Sequence, residues 1–328
     1  MTDRATLNQV TQIGMETTPG TAVAATRRLP ALSITPGIQT AINSFKPVGG
    51  KFNTVGALGK EWVEASYEGP LCYNHLTFLL ASLLTAGAPT QQGVTAAYKW
   101  KFAPAQNDMD APLTFTVEQG SAVRAGKFTY GLVNGFTLEI DREAANVSGT
   151  MIGQAYQDGI TMTASGVKDV PVQPVQPTEI DVYLDSTAAG VGSTKLTRVL
   201  SLSIEVADRY APVWTLNSAV DGFAAHVESA PTATITMLME ADAAGMGLLT
   251  AMRAGAKRFL RLKATGPVIA GTYAYSLTWD MGVLVREVGE FSDEDGVYAI
   301  EWTFDVAYDT TWGKAMQIAL INTVDDKE

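Results

Sequence analysis

From Lys127 to Gln154 the chain reads KFTYGLVNGFTLEIDREAANVSGTMIGQ. Phe128, Tyr130 and Leu132 alternate with Thr129 and Gly131. After Asn134-Gly135 the pattern restarts, with Phe136, Leu138 and Ile140 set against Thr137, Glu139 and Asp141. Period-two alternation punctuated by turn residues predicts half-buried antiparallel strands. The same plan recurs from Thr272 to Tyr308. There Tyr273, Tyr275 and Leu277 precede Trp279-Asp280, and Val283 and Val285 follow. Ser292 to Gly296 reads as a turn, and Tyr298, Ile300, Trp302, Phe304 and Val306 then run opposite Glu301 and Asp305.

Between these stretches, Val170 to Pro177 (VPVQPVQP) breaks every periodic pattern. Three prolines in so short a run exclude a helix or a central strand and predict a stiff, extended connector. Its mid-chain position prompts a search for repetition. Val10–Ile34 aligns without gaps on Ile180–Ile204, with Thr17/Thr187, Gly20/Gly190, Arg28/Arg198, Leu32/Leu202, Ser33/Ser203 and Ile34/Ile204 identical. A strand then follows in each half, at Trp62–Gly69 and Thr232–Glu240, and leads into a short helix. The first helix is predicted with Asn74 as N-cap, a stripe of leucines from Leu76 to Leu84 and Gly87 as terminator. The second takes Asp242 as cap, Met246, Leu249 and Met252 on its face and Gly255 as terminator. The expected fold is mainly β (β-rich α+β): two tandem, internally duplicated antiparallel β-sandwich or barrel modules, each with one short amphipathic helix. The modules are placed at residues 1–168 and 179–328, with 169–178 as the Pro-rich connector.

The halves differ in their loops. Asn43–Lys60 holds four glycines and three lysines, and reads either as a solvated hairpin tip or as a contact that orders on assembly. Its counterpart, Arg209–His226, carries Tyr210, Trp214 and Phe223, either for a contact in the second module or for packing under its own domain. Ala86–Gln106 reads as a long polar insertion present only in the first half.

Composition narrows the function. In 328 residues, 46% hydrophobic and 17% charged, the chain describes a folded protein. A net charge of −11 argues against a protein that coats nucleic acid or an anionic membrane. The N-terminus shows no export signal, and the most apolar run, Leu76–Leu84, is far short of the ~20 residues of a membrane span. One cysteine, Cys72, allows no intrachain disulfide and reads as a small buried filler; two histidines, His75 and His226, leave little for zinc. His75 reads as a surface or helix-end residue. Gly120–Lys127 (GSAVRAGK) lacks the spacing and the Ser/Thr of a phosphate loop, and Ser292–Gly296 lacks the ligand spacing of an EF-hand. No catalytic site and no cofactor is expected.

Residues Gln12 to Val23 are more specific. Gly14, Glu16, Gly20, Thr21 and Ala22 form a G-x-E-x-x-x-G-T-A segment. It resembles the opening of the major tail (tail tube) proteins of long, non-contractile-tailed bacteriophages, and the Phe128–Gly153 hairpin is similar to the late hairpin of that family. The resemblance implies a structural virion protein, made in a host cytoplasm, whose rings stack into a tube that conducts genomic DNA. Two modules per chain imply a homotrimer with pseudo-sixfold symmetry. Implied neighbours are tape-measure, terminator and distal tail proteins, with double-stranded DNA passing unbound and no membrane contact. On this reading Glu139, Asp141, Glu301 and Asp305 are candidate lumen-facing acids, an outward solvated face being the other reading. Lys46, Lys51, Phe52 and Lys60 are the candidate inter-ring loop. A tandem β-sandwich adhesion or carbohydrate-binding module is the alternative, although no solvent-facing aromatic platform is plain in the sequence.

Overall fold

The computed structural model describes residues 8–154, 156–217 and 222–327. The first seven residues, part of the segment read for an export signal, and residues 218–221 of the Arg209–His226 loop lie outside them. The first half contains β1 (Val10–Met15), β2 (Ser33–Phe45), β3 (Val55–Pro70), α1 (Leu76–Leu83), β4 (Phe115–Gly120), β5 (Ala125–Ile140), β6 (Ala145–Gly153) and β7 (Tyr156–Asp158). The second contains β8 (Ile180–Asp185), β9 (Val199–Ala207), β10 (Tyr210–Val213), β11 (Ala225–Glu228), β12 (Thr232–Glu240), α2 (Ala243–Arg253), β13 (Arg258–Ala270), β14 (Tyr273–Glu294), β15 (Val297–Val306) and β16 (Met316–Asn322).

The antiparallel ladders repeat. In the first half, one sheet runs β2-β3-β6-β5 and a second runs β1-β4-β5-β7. In the second half, β9-β12-β15-β14 and β8-β13-β14-β16 follow the same order. Each long strand, β5 and β14, begins in one sheet and ends in the other. Asn134-Gly135 and Trp279-Asp280, read as interruptions, lie inside these continuous strands. Asn134 sits at a register shift between Val133 and Gly135, a bulge that re-aims the strand without ending it. A glycine marks the turnover in both halves. A Cβ at Gly131 would lie 2.7 Å from the Phe115 carbonyl oxygen, and one at Gly282 equally close to that of Ala307. The Ser292–Gly296 turn forms as a two-residue hairpin, with Asp295 (φ 53) and Gly296 (φ 82) in the left-handed conformations that a tight β-hairpin requires.

Sheet pairing also crosses between the halves. β5 pairs with β9, which fuses the two four-stranded sheets into one of eight: β2-β3-β6-β5-β9-β12-β15-β14. Inside the Ala86–Gln106 insertion the Tyr98–Phe102 strand pairs with β16 and buries Trp100 and Phe102. That insertion is therefore structural, and its signal was the alternation of Trp100 and Phe102 with Lys99 and Lys101. The connector is tied down as well. Val170 N–H donates to Arg28 O and Val175 N–H to Leu71 O, with both valine side chains buried.

The helices depart from expectation in one case. Asp242 caps α2, its Oδ1 accepting from Gly245 N–H at 2.8 Å, and Gly255 (φ 58) terminates it. In α1 the N-cap residue is His75, with no side-chain cap, and all eight helical residues are buried rather than one stripe. Asn74 is drawn away because its amide donates to Pro171 O and its oxygen accepts from Thr323, which ties the connector to the C-terminal segment. Gly87 belongs to the next segment, its N–H donating to Lys101 O.

His75 is buried, not superficial, and burial lowers its imidazole from 6.5 to about 4. Between these values the unfolded chain binds the proton more readily than the folded one. Stability is therefore expected to fall as the pH drops from 6.5 toward 4, by about 1.4 kcal/mol per pH unit, or about 2 kcal/mol at pH 5. Urea unfolding at pH 7 and pH 5, repeated on His75→Asn, checks this. Equal acid losses in parent and variant would remove His75 as the cause.

Candidate functional site

The eight-stranded sheet has two unlike faces. One buries Tyr67, Phe136, Leu138, Ile204, Met237, Trp302 and Phe304 in the core. The other is a field of hydroxyls and carboxylates. Register places Glu68, Ser148, Thr137, Glu205, Thr234 and Asp305 in a single row across six strands. A second row carries Asn146, Glu139, Ser203, Thr236 and Thr303, and Glu301 lies on the same face opposite Leu238. Glu139, Glu301 and Asp305 thus share one face, with Asp305 held 3.1 Å from Arg286. Asp141 does not sit on a strand. It closes the β5–β6 turn by accepting from the N–H groups of Glu143 and Ala144, bonds that lower its pKa. Glu64, Glu68 and Glu205 join the acidic face. Glu64 and Glu68 lie in a strand that sequence reading located but did not search for acids. Glu205 lies in one it did not assign, its signal being the alternation of Leu202, Ile204 and Val206 with Ser203 and Glu205.

The sheet ends in two open edges. Among the described residues, β2 pairs only with β3, and the β14 segment from Leu284 to Glu294 pairs only with β15. Exposed edges invite pairing with another strand.

The two hairpin arms at one rim of this sheet differ. In the second half, β10 and β11 extend the β9–β12 hairpin, and the chain bends at Asp208 (φ 56) so that they lie against the first half. Tyr210 and Phe223 are buried there with Tyr130, Leu132 and Ile152, and Trp214 packs edge-on to Trp62 at 5.6 Å. These three aromatics join the halves of one chain. Lys60 belongs to the same contact, its Nζ 4.3 Å from the Trp214 ring centre and 5.0 Å from that of Trp62. Beneath lies an ion cluster. Arg209, 1% exposed, pairs with the fully buried Asp110 and with Glu228 at 3.0 Å, while Tyr210 Oη donates to Leu83 O. His226 completes it, its Nδ1 2.9 Å from Tyr130 Oη and burial lowering its pKa. Among the described residues no cluster of His, Cys, Asp and Glu could hold a metal ion.

In the first half the arm is exposed along most of its length. β2 and β3 continue as a two-stranded ribbon beyond the point where β6 leaves β3, and Lys46, Lys51 and Phe52 lie at its exposed tip.

The G-x-E-x-x-x-G-T-A segment turns out to be a structural clasp. The Glu16 carboxylate is buried and accepts from Gly20 N–H (2.8 Å), Thr114 Oγ1 (2.8 Å), Thr116 Oγ1 (3.0 Å) and Tyr130 N–H (2.9 Å). Gly20 has φ 82, and a Cβ at Gly14 would stand 2.4 Å from Ala24 O. Glu16 thereby holds Tyr130 at φ 59, a left-handed setting that is strained for a bulky side chain and presents its ring to Phe223. In the second half, Asp185 accepts from the N–H groups of Gly192, Ser193 and Thr194 instead.

The family whose sequence model matches residues 6–310 is described as phage tail tube protein. No curated protein matches the chain. Among solved structures, the tail tube of SPP1, determined by solid-state NMR and cryo-EM, aligns with a TM-score of 0.31 and 13% identity over 47% of this chain and 81% of that one.

Proposed function

The chain belongs to the phage tail tube protein family, and on that premise we propose that three copies close a ring by repeating between chains the strand junction that joins the halves within one. Its role is structural, as a self-assembling component of the virion tail whose tube is the channel for DNA.

One observation carries it. The open edges β2 and β14 are the topological equivalents of β9 and β5, which already pair inside the chain. An interface of this head-to-tail kind closes when its rotation divides the circle, and closure removes both edges. The first four-stranded sheet then repeats the second around the axis, which supports the division into modules at 1–168 and 179–328 about the 169–178 connector. The continuous sheet is placed inside and the two separate second sheets outside, where the circumference is larger. The uncovered face carrying Glu68, Glu139, Glu205, Glu301 and Asp305 then lines the lumen. Fixed carboxylates repel phosphate over about 8 Å at physiological salt, and hydroxyls give DNA a wetted wall without a cationic grip. This role needs neither catalysis nor cofactor. Tape-measure, terminator and distal tail proteins are the proposed neighbours, and synthesis is placed in the host cytoplasm.

The geometry supplies a direct test. Inside the chain Glu205 faces Thr137. A shift of 170 carries Glu205 to Thr35. Matching the core-facing Phe136 with Val288, which pairs with Trp302, carries Thr137 to the exposed Gly289, where an added Cβ would stand 3.3 Å from Glu301 Cβ on the polar face. Thr35→Cys with Gly289→Cys is therefore expected to yield disulfide-linked species up to a covalent trimer on a non-reducing gel, and rings in negative-stain micrographs. Cys72 is buried and its thiol is pushed up to about 11, which leaves oxidation to the introduced pair. Absence of any linked species, or a ladder that ends at another number, would overturn the proposed ring.

A further inference from the structure

Resting on that ring, we infer that rings stack by docking the tip of the β2–β3 arm of one copy onto the β14–β15 hairpin of a copy in the next ring. The two surfaces occupy opposite ends of the sheet. β2 runs toward its tip at Phe45, whereas β14 runs the other way to its turn at Asp295-Gly296. With β14 of one copy beside β2 of the next, each ring carries tips along one rim and turns along the other. From Ser33 to Phe45 the ribbon spans about 40 Å at ~3.3 Å per residue, so a tip cannot fold back to the far rim of its own ring.

Their chemistry is complementary. From Ala41 to Lys60 the arm has three lysines and no carboxylate. It also exposes the cross-strand pairs Ile42/Leu58 and Phe45/Val55, with Phe52 at the tip. A two-stranded ribbon with apolar side chains in water is marginal alone and gains from a covering surface. The β14–β15 hairpin is its opposite in charge. From Glu287 to Tyr298 it carries five acids and no basic residue. It also exposes a stacked aromatic pair, Phe291 and Tyr298, whose ring centres are 4.6 Å apart. An acidic turn with an exposed aromatic step fits a basic tip that offers Phe52. Lys60, held between Trp62 and Trp214 at the base of the arm, takes no part in the docking. Because tip and turn differ, the contact is head-to-tail and open-ended, which gives the tube one polarity.

The experiment uses the full-length chain with the Thr35→Cys/Gly289→Cys pair as its ring reporter. Lys46→Glu/Lys51→Glu, and separately Glu290→Lys/Glu294→Lys, are each expected to keep the covalent trimer while sedimentable tubes fall at least tenfold. The four changes combined are expected to restore tubes, because the charges are then exchanged across the same contact. Tubes at the parental level in either double variant, or no recovery in the combination while trimers persist, would overturn the stacking assignment. Loss of the covalent trimer in either double variant would overturn it too, since those residues would then act within the ring. Failure of the parent reporter itself would instead strike the ring on which the inference rests.

Discussion

Arg209→Met is expected to destabilise the folded chain by about 3–5 kcal/mol, the range for removing one partner of a buried ion pair. The guanidinium is 1% exposed and faces a fully buried Asp110 carboxylate. Without it, that carboxylate keeps only Thr85 Oγ1 and Ala105 N–H as partners on its other oxygen, Oδ1, and no cation. The loss reaches further than one side chain. Arg209 also donates to Leu83 O at the end of α1 and stands at the base of the β10–β11 arm, so the substitution loosens the second half from the first. Asp110→Asn in the same chain is expected to recover part of the loss, because a neutral amide tolerates the apolar neighbour. Urea midpoints of the parent, both single variants and the double variant check this. If Arg209→Met costs under 1 kcal/mol, the cluster is not a structural lock.

Glu16→Ala is expected to cost about 3–5 kcal/mol by a different route. Four donors, two of them backbone N–H groups, lose a buried acceptor, and each buried donor left unsatisfied costs about 1–3 kcal/mol before relaxation. Glu16→Gln keeps one oxygen and turns an amide toward donors, so its loss is expected to lie between parent and alanine. There is also a local readout. Tyr130 is held at φ 59 by its N–H bond to Glu16, and its release is expected to perturb the Tyr130–Phe223 edge contact. Near-ultraviolet circular dichroism of Glu16→Ala, taken at a temperature where it remains folded, should therefore change in the tyrosine region. An unchanged spectrum with full stability would show that the segment is not a clasp. The short motif by which the chain resembles its family thus serves to set one strand residue in place, far from the proposed rings' contacts at the tip and turn.

Much of the fold was legible because strand alternation is a local property. Phe136, Leu138 and Ile140, like Ile300, Trp302 and Phe304, face the core as their period demands. The capped and glycine-terminated α2 and the Asp295-Gly296 turn were equally local. The acids Glu139, Glu301 and Asp305 could be assigned to a polar strand face, but the lumen cannot be read from alternation, which gives two faces and no inside.

What the amino-acid order determined by itself was the mainly β content, the repetition of one plan about a proline-rich connector, and the family motif at Gly14, Glu16 and Gly20. Only the tertiary structure decided the rest. It turned Asn134 into a bulge, drew Asn74 off its helix to bind Pro171 O and Thr323, and converted the Tyr98–Phe102 segment into a strand of the other half's sheet. It also bent one arm onto Trp62 while its twin stayed exposed. The physical reason is the same each time. A backbone donor or an apolar ring is satisfied by whatever partner the assembled sheets bring within reach, and those partners lie from tens to over two hundred residues away, beyond the range of any local pattern.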